Sequence, residues 1–166
     1  RVISVSPGYN EALTSIRSVS GGYLYQKKDG QKGELNNLNV VTKRKPTNDE
    51  YLAINLGWML VRHVKSNAIV LADKRQLLGI GAGQMSRIDS VKIAIQKVTD
   101  NGLNLHGSIM ASDAFFPFSD SVELAAEAGV VAVIQPGGSI KDDEVISKAN
   151  ELGIAMVFTN TRHFLH

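Results

Sequence analysis

Three glycines alternate in Gly79-Ile80-Gly81-Ala82-Gly83, and Arg87 follows where a helix is expected to begin. Glycine lets a backbone turn tightly or approach a ligand closely. Free N–H groups at a helix start, with a cation beside them, suit phosphate or another anion. Further on, Ser112-Asp113-Ala114-Phe115-Phe116-Pro117-Phe118 places three of the chain's five phenylalanines within four positions. Together the two stretches point to a site for something phosphorylated and something flat. The glycine run stays open between a structural turn and a ligand turn. It lacks the dinucleotide-fingerprint spacing, and no Gly-Lys-Ser/Thr phosphate loop occurs. Phenylalanines are ordinarily core. These flank Pro117 in a loop leading into a capped helix, which favours exposure to a flat ligand.

Other polar residues are placed where ligands are commonly met. Asn67 precedes a buried strand; it could cap the preceding helix or orient a ligand amide. Asp120 is first of all a helix cap. Pro136-Gly137-Gly138-Ser139 joins a strand to a helix, either as a turn ending in a cap or as a backbone donor site at the sheet's edge. Arg162 lies just past the last strand, a usual place for ligand contacts in such folds. The four histidines (His63, His106, His163 and His166) are scattered or terminal. Without cysteine, and without a His-Glu pair at metal spacing, no metal is expected. No Gly-Xaa-Ser-Xaa-Gly elbow supports a serine hydrolase.

The elements that must hold these residues read as follows. Gly21-Gly22 introduces a short strand at Tyr23-Leu24-Tyr25, which Lys28-Asp29-Gly30 closes. Val40-Val41-Thr42 is a further strand. Lys43-Arg44-Lys45 either touches an acidic ligand or is a solvated loop before Pro46. From Thr47 or Asn48 as cap, a helix is expected with Leu52, Leu56, Met59 and His63 as its stripe and Trp58 off it. Ala68 to Ala72 forms a buried strand and hairpins with Gln76 to Ile80. Ile88, Val91, Ile95 and Val98 mark the buried stripe of the next helix. Asp120 and Glu123 have capping-box spacing, and Gly129 ends that helix. Val130 to Ile134 is a strand, Asp142 to Leu152 a helix stopped by Gly153, and Ile154 to Phe158 the last strand. Crossovers plus one hairpin predict an α/β fold, a three-layer α/β/α domain on a mixed sheet.

At 166 residues and 43% hydrophobic content, the chain can bury one sizeable core. Its net charge of +2, from 18 basic and 16 acidic residues, makes no concentrated basic field and argues against nucleic acid. No apolar run approaches the roughly 18 residues of a membrane span, and no secretory start is evident. The absence of cysteine agrees with a cytoplasmic protein. The chain starts at Arg1, as expected of a processed, truncated or excised polypeptide.

Five motifs carry a resemblance. Lys65-Ser66-Asn67-Ala68-Ile69-Val70, Gly79 to Arg87, Ala111 to Phe118, Gln135-Pro136-Gly137-Gly138-Ser139 and Thr161-Arg162-His163-Phe164 resemble the bifunctional AICAR transformylase/IMP cyclohydrolase family. They occur in that family's order and spacing. The resemblance runs over residues 21–166 and points to the C-terminal half of the transformylase domain. Residues 1–20 match less closely and form a leading segment without assignment. The resemblance implies a cytidine-deaminase-like fold that has lost the deaminase metal ligands. It also implies transfer of a formyl group from 10-formyltetrahydrofolate, as cosubstrate, to the amine of AICAR, on the way to IMP.

By motif position, Asn67 corresponds to a residue at the reaction centre. Arg87, Phe115 and Arg162 correspond to AICAR-binding residues. Ile88, Phe118, Asp120 and Ser139 correspond to positions lining the folate pocket. The family's proton-transferring Lys-His pair has no counterpart, because no Lys-His dipeptide occurs in the sequence. The family's sites form across a homodimer, so the chain alone is expected to bind weakly and not turn over. A non-catalytic binding or dimerisation module of the same fold is the alternative.

Overall fold

The computed structural model describes residues 14–27, 35 and 38–165. The chain divides into two compact units, residues 1–32 and 33–166. In the first, β1 (Thr14–Val19) and β2 (Gly22–Lys27) form an antiparallel hairpin with Ile16 opposite Tyr25. Its turn passes through Gly21 at φ 80°. Only β2 was expected from the sequence. The turn predicted at Lys28-Asp29-Gly30 lies outside the described residues.

The second unit is built on a six-stranded mixed sheet. Its elements are β3 (Asn39–Val40), α1 (Asn48–Val61), β4 (Ile69–Ala72), β5 (Leu77–Gly81), α2 (Arg87–Asp100), β6 (Ser108–Ser112), α3 (Asp120–Glu127), β7 (Val130–Gln135), α4 (Asp142–Glu151) and β8 (Ala155–Phe158). The strand order is β3-β8-β7-β6-β4-β5. β6, β7 and β8 run parallel through the helical crossovers, whereas β4 is antiparallel to both β5 and β6. The expected mixed sheet is present. β6 went unread in the sequence, because its Ser-Ile-Met-Ala-Ser run has neither length nor alternation.

Period-2 alternation sends successive strand residues to opposite faces, and both faces are covered. Ile69, Leu71, Met110, Val133 and Met156 pack against Val91, Ala94 and Val98 of α2, Val122 of α3 and Val145 of α4. Val70, Ile109, Ala111, Ile134 and Val157 pack against Ala53, Ile54, Trp58 and Val61 of α1. Helices therefore lie on both sides of the sheet.

Two helix faces differ from expectation. On α1 the buried residues are Ala53, Ile54, Gly57, Trp58 and Val61, whereas Leu52, Met59 and His63 are exposed. The helix is apolar almost all round, so packing rather than pattern chose its inner face. A side chain at Gly57 would come within 2.7 Å of Ile109 Cδ1, so glycine allows that close approach. Trp58 then tilts against His163, with centroids 4.5 Å apart. On α2 the deep stripe is Ser90, Val91, Ala94 and Val98, leaving Ile88 and Ile95 half-buried.

Caps also sort themselves. Thr47 and Glu50 form a reciprocal capping box at α1. The box predicted for Asp120 and Glu123 does not form. Ser119 is already curled into the αR region, so Asp120 becomes the first helical residue and its carboxylate accepts from the adjacent Ser121 N–H at 2.7 Å. Ser119 Oγ bonds Glu123 Oε1 instead, at 2.6 Å.

The Lys43-Arg44-Lys45 triplet is not simply solvated. Arg44 donates to both Glu50 oxygens (3.1 and 2.9 Å), to the Gly153 carbonyl (2.7 Å) and to the Val131 carbonyl. It pins the entry of α1 to the ends of β7 and β8. Arg44→Ala is expected to cost about 2 kcal/mol, the scale of charged hydrogen bonds lost from half-buried partners. Urea unfolding measures it; a midpoint unchanged from the parent protein would show the staple to be idle.

Candidate functional site

The predicted site residues lie where the chain leaves or enters the sheet at one end of its strands. Asn67 precedes β4. Arg87 follows β5, Phe115 follows β6, Ser139 follows β7 and Arg162 follows β8. Because β4 runs against β6, its amino end meets the carboxyl ends of the parallel strands. This is where open α/β sheets leave a crevice.

Asn67, Arg87, Ile88, Phe115, Phe118, Asp120 and Arg162 all line one cavity of about 550 Å³. Ser139 lines an adjoining one of about 490 Å³, which shares Phe115, Pro117, Phe118 and Arg162 with the first. The aromatic loop thus forms the wall between two lobes.

The glycine run turns out to be structural. A Cβ on Gly79 would overlap the Ala94 carbonyl, and one on Gly81 the Ser90 carbonyl, so β5 lies directly against the α2 backbone. Gly83 turns the chain at φ 69°, and its N–H bonds the Lys65 carbonyl at 2.8 Å. The turn then delivers Ser86, whose hydroxyl caps α2 by accepting from Asp89 N.

Arg87 does not stand free at the helix start as its position suggested. It is buried, with Nη1 donating to Asp113 Oδ1 at 2.5 Å and to Ser112 Oγ at 2.8 Å. Its Nη2 donates to Asn67 Oδ1 at 3.0 Å. Asn67 in turn donates from Nδ2 to the carbonyls of Gln84 (2.9 Å) and Met85 (3.3 Å). The Asn67 side chain therefore caps no helix. It bridges the 66–67 turn, whose Ser66–Asn67 peptide is cis, to the start of α2.

Among the described residues that line this cavity, the cation free to meet a ligand is Arg162. It is exposed, and its Cζ lies 4.9 Å from the Phe115 ring centroid. Stacking on the ring aims the guanidinium while leaving its edge donors available.

The three phenylalanines take different roles. Phe116 is core, with its backbone N–H held by Gln135 Oε1 at 3.1 Å. Phe115 is half-buried under Arg162. Phe118 is 58% exposed on the cavity wall, which offers a ring face for stacking.

Asp120 is exposed beside that ring and can accept from the N–H edge of a heterocycle. Ser139 accepts from Lys141 N at 3.1 Å rather than capping α4. Sequence reasoning passed over Ser121, a buried lining residue whose Oγ has no partner among the described residues. It also passed over Asp113, whose only signal was its place inside the phenylalanine motif. Among the described residues no cluster of three or more His, Asp or Glu is placed to hold a metal.

Fold and cavity define an α/β domain with a candidate ligand site at the carboxyl ends of its parallel strands. Both lobes are mainly apolar and share Phe115, Pro117, Phe118 and Arg162; the first adds the tethered Asn67 amide and Arg87. Comparison with known proteins gives the family. Residues 1–97 match the family described as AICARFT/IMPCHase bienzyme, and the chain belongs to that family.

Its relatives are named bifunctional purine biosynthesis protein PurH. The chain is 52% identical to that of Chlorobium phaeobacteroides (strain BS1) over 94% of its own length and 30% of the relative's. It is 52% identical to that of Aquifex aeolicus (strain VF5) over 96% and 31%. With that of Shouchella clausii (strain KSM-K16) it shares 49% over 100% and 32%. The chain thus spans about a third of the length of these relatives.

Proposed function

We propose that this chain forms the C-terminal half of a folate-dependent AICAR transformylase domain, within a longer polypeptide that makes IMP. The observation that carries this reading is the cavity. Seven residues singled out by motif resemblance, from four separate segments, line one space. A mixed sheet with helices on both faces is compatible with the cytidine-deaminase-like fold that the resemblance implies.

In the proposed reaction the AICAR amine attacks the formyl carbon of 10-formyltetrahydrofolate. A C–N bond forms and the carbonyl electron pair moves to oxygen. Collapse of that tetrahedral oxyanion breaks the bond to N10, which takes up a proton as the attacking amine gives one up. The amine is a poor nucleophile, so orientation and oxyanion stabilisation must supply much of the rate.

Asn67 stands at the reacting centre. Arg162 and Phe115 hold AICAR, with Arg87 behind them. Ile88 and Phe118 sandwich the flat folate head, Asp120 accepts from its N–H edge, and Ser139 lies along its continuation. Amides and guanidinium groups orient and stabilise, but they do not carry the proton away. That step belongs to the Lys-His pair found elsewhere in the family. The 166-residue chain alone is therefore inactive, and the site is completed across a homodimer of the longer polypeptide.

The test compares formyl transfer by the protein from the complete reading frame with that of the 166-residue chain. Turnover by the first and none by the second is expected. A complete protein without transfer would overturn the activity, and a chain that turns over by itself would overturn the half-site. In the active protein, Phe118→Ala should raise KM for the folate about tenfold, the equivalent of one lost stacking face. KM for AICAR should stay within about twofold. Equal weakening of both ligands would remove Phe118 from the folate lobe.

A further inference from the structure

The site described above leaves one buried acid without a role. Asp113, at the end of β6, is 1% exposed. Burying a carboxylate is costly unless it is paired and hydrogen-bonded, and here both oxygens are engaged. Oδ1 accepts from Arg87 Nη1 and Oδ2 from Ser66 Oγ, each at 2.5 Å. The backbone of Asp113 adds two links, accepting from His163 N–H at 2.9 Å and donating to the Ala68 carbonyl at 3.3 Å. One residue therefore joins the 66–67 turn, the start of α2, the end of β6 and the C-terminal tail. Those are the segments that bring Asn67, Arg87, Phe115 and Arg162 to the cavity.

The arrangement has a directional consequence. The amide torsion of asparagine is broad and roughly two-fold, so its neighbours decide which end faces which way. Arg87 has only donors, which fixes Asn67 Oδ1 toward Nη2. Gln84 and Met85 present only carbonyls, which fixes Nδ2 toward them. The second rests on backbone carbonyls; the first holds only while the guanidinium stays in place. Asp113 and Ser112 hold its other fork, and Asp113 also matches its charge. A bidentate fork tied on one side to an anion and on the other to an amide transmits position with little slack.

We propose that Asp113 is a positioning residue of this site. It acts through Arg87 to hold the Asn67 amide oxygen in place, and through Ser66 to hold the backbone that carries Asn67. Its effect on turnover rests on the transformylase reading; its effect on geometry does not.

The experiment is a double-substitution cycle in the protein from the complete reading frame, with kcat and KM for AICAR measured separately. Asp113→Asn keeps the shape and removes the charge. Its kcat is expected to fall tenfold or more, in line with the cost of about an ångström of misplacement. KM for AICAR should not rise, because Arg162 is untouched and Arg87 loses its counter-charge. In an Arg87→Lys background, where the fork is already gone, the same change should cost less than threefold, the non-additivity of residues that act as one unit.

Unchanged kcat, or the same fold-loss in both backgrounds, overturns the proposal. If Asp113→Asn fails to fold, Ser66→Ala carries the test, with kcat expected to fall about threefold at constant KM and an unchanged kcat overturning it. If the unaltered protein transfers no formyl group, the functional reading fails. Crystal structures of the unaltered protein and of whichever variant folds then decide the geometric claim: a shifted Arg87 guanidinium supports it, and an unmoved one overturns it.

Discussion

Asn67→Ala, in the protein from the complete reading frame, is expected to lower kcat for formyl transfer by about 10²- to 10³-fold, the scale of removing one preorganised polar group from a reacting centre. Stability should change far less. The amide makes three hydrogen bonds, to two turn carbonyls and to Arg87. All lie near the cavity wall, where water can replace the lost partner, so about 1–2 kcal/mol is at stake. Arg87 keeps Asp113 and Ser112, so no buried charge is orphaned.

The assay is kcat per folded molecule, with thermal unfolding run alongside. A variant that mainly unfolds, while the folded fraction works normally, would reduce Asn67 to a structural strut. The prediction also separates Asn67 from Asp113. Loss of the amide removes the acting group, whereas loss of the acid removes only its aim.

Why sequence singles out Asn67, which lines the cavity, and passes over Asp113 is a matter of locality. The motif around Asn67 is continuous, and its strand is a five-residue apolar run beginning at Ala68. Helix stops at Gly129 and Gly153, both at positive φ, are equally local signals. So is the Thr47 cap. The role of Asp113 is set by Arg87, 26 residues back, and by Ser66, 47 residues back. Nothing near Asp113 in the chain announces either partner.

The inner face of α1 failed for a related reason. With apolar residues on every side, several stripes fit the helical period, and the sheet chose the one carrying Ala53 and Gly57 because small residues permit close packing. The phenylalanines were read as a group, yet tertiary contacts divide them. Gln135, from the adjacent strand, draws Phe116 inward and leaves Phe118 on the cavity wall.

Gly81→Ala should be the most destabilising alanine substitution among the described glycines, at about 3 kcal/mol or more. The added carbon would overlap the Ser90 carbonyl, a backbone atom that cannot rotate away. Relief requires moving α2 off β5, and α2 carries Arg87 as its first residue. Displacement there also loosens Ser90 Oγ, which donates to the Asn67 carbonyl at 2.8 Å. Stability and turnover should therefore fall together, unlike the Asn67 case.

Gly107→Ala is the matched control. Its φ of 81° strains any side chain, but nothing lies within 4 Å of the added carbon. Its cost should stay near 1 kcal/mol, the left-handed penalty alone, with kcat unchanged. Thermal unfolding of both variants decides the point. If Gly81→Ala proved as mild as Gly107→Ala, the glycine run would not be needed for packing, and a ligand approaching its backbone would again be the better reason for it.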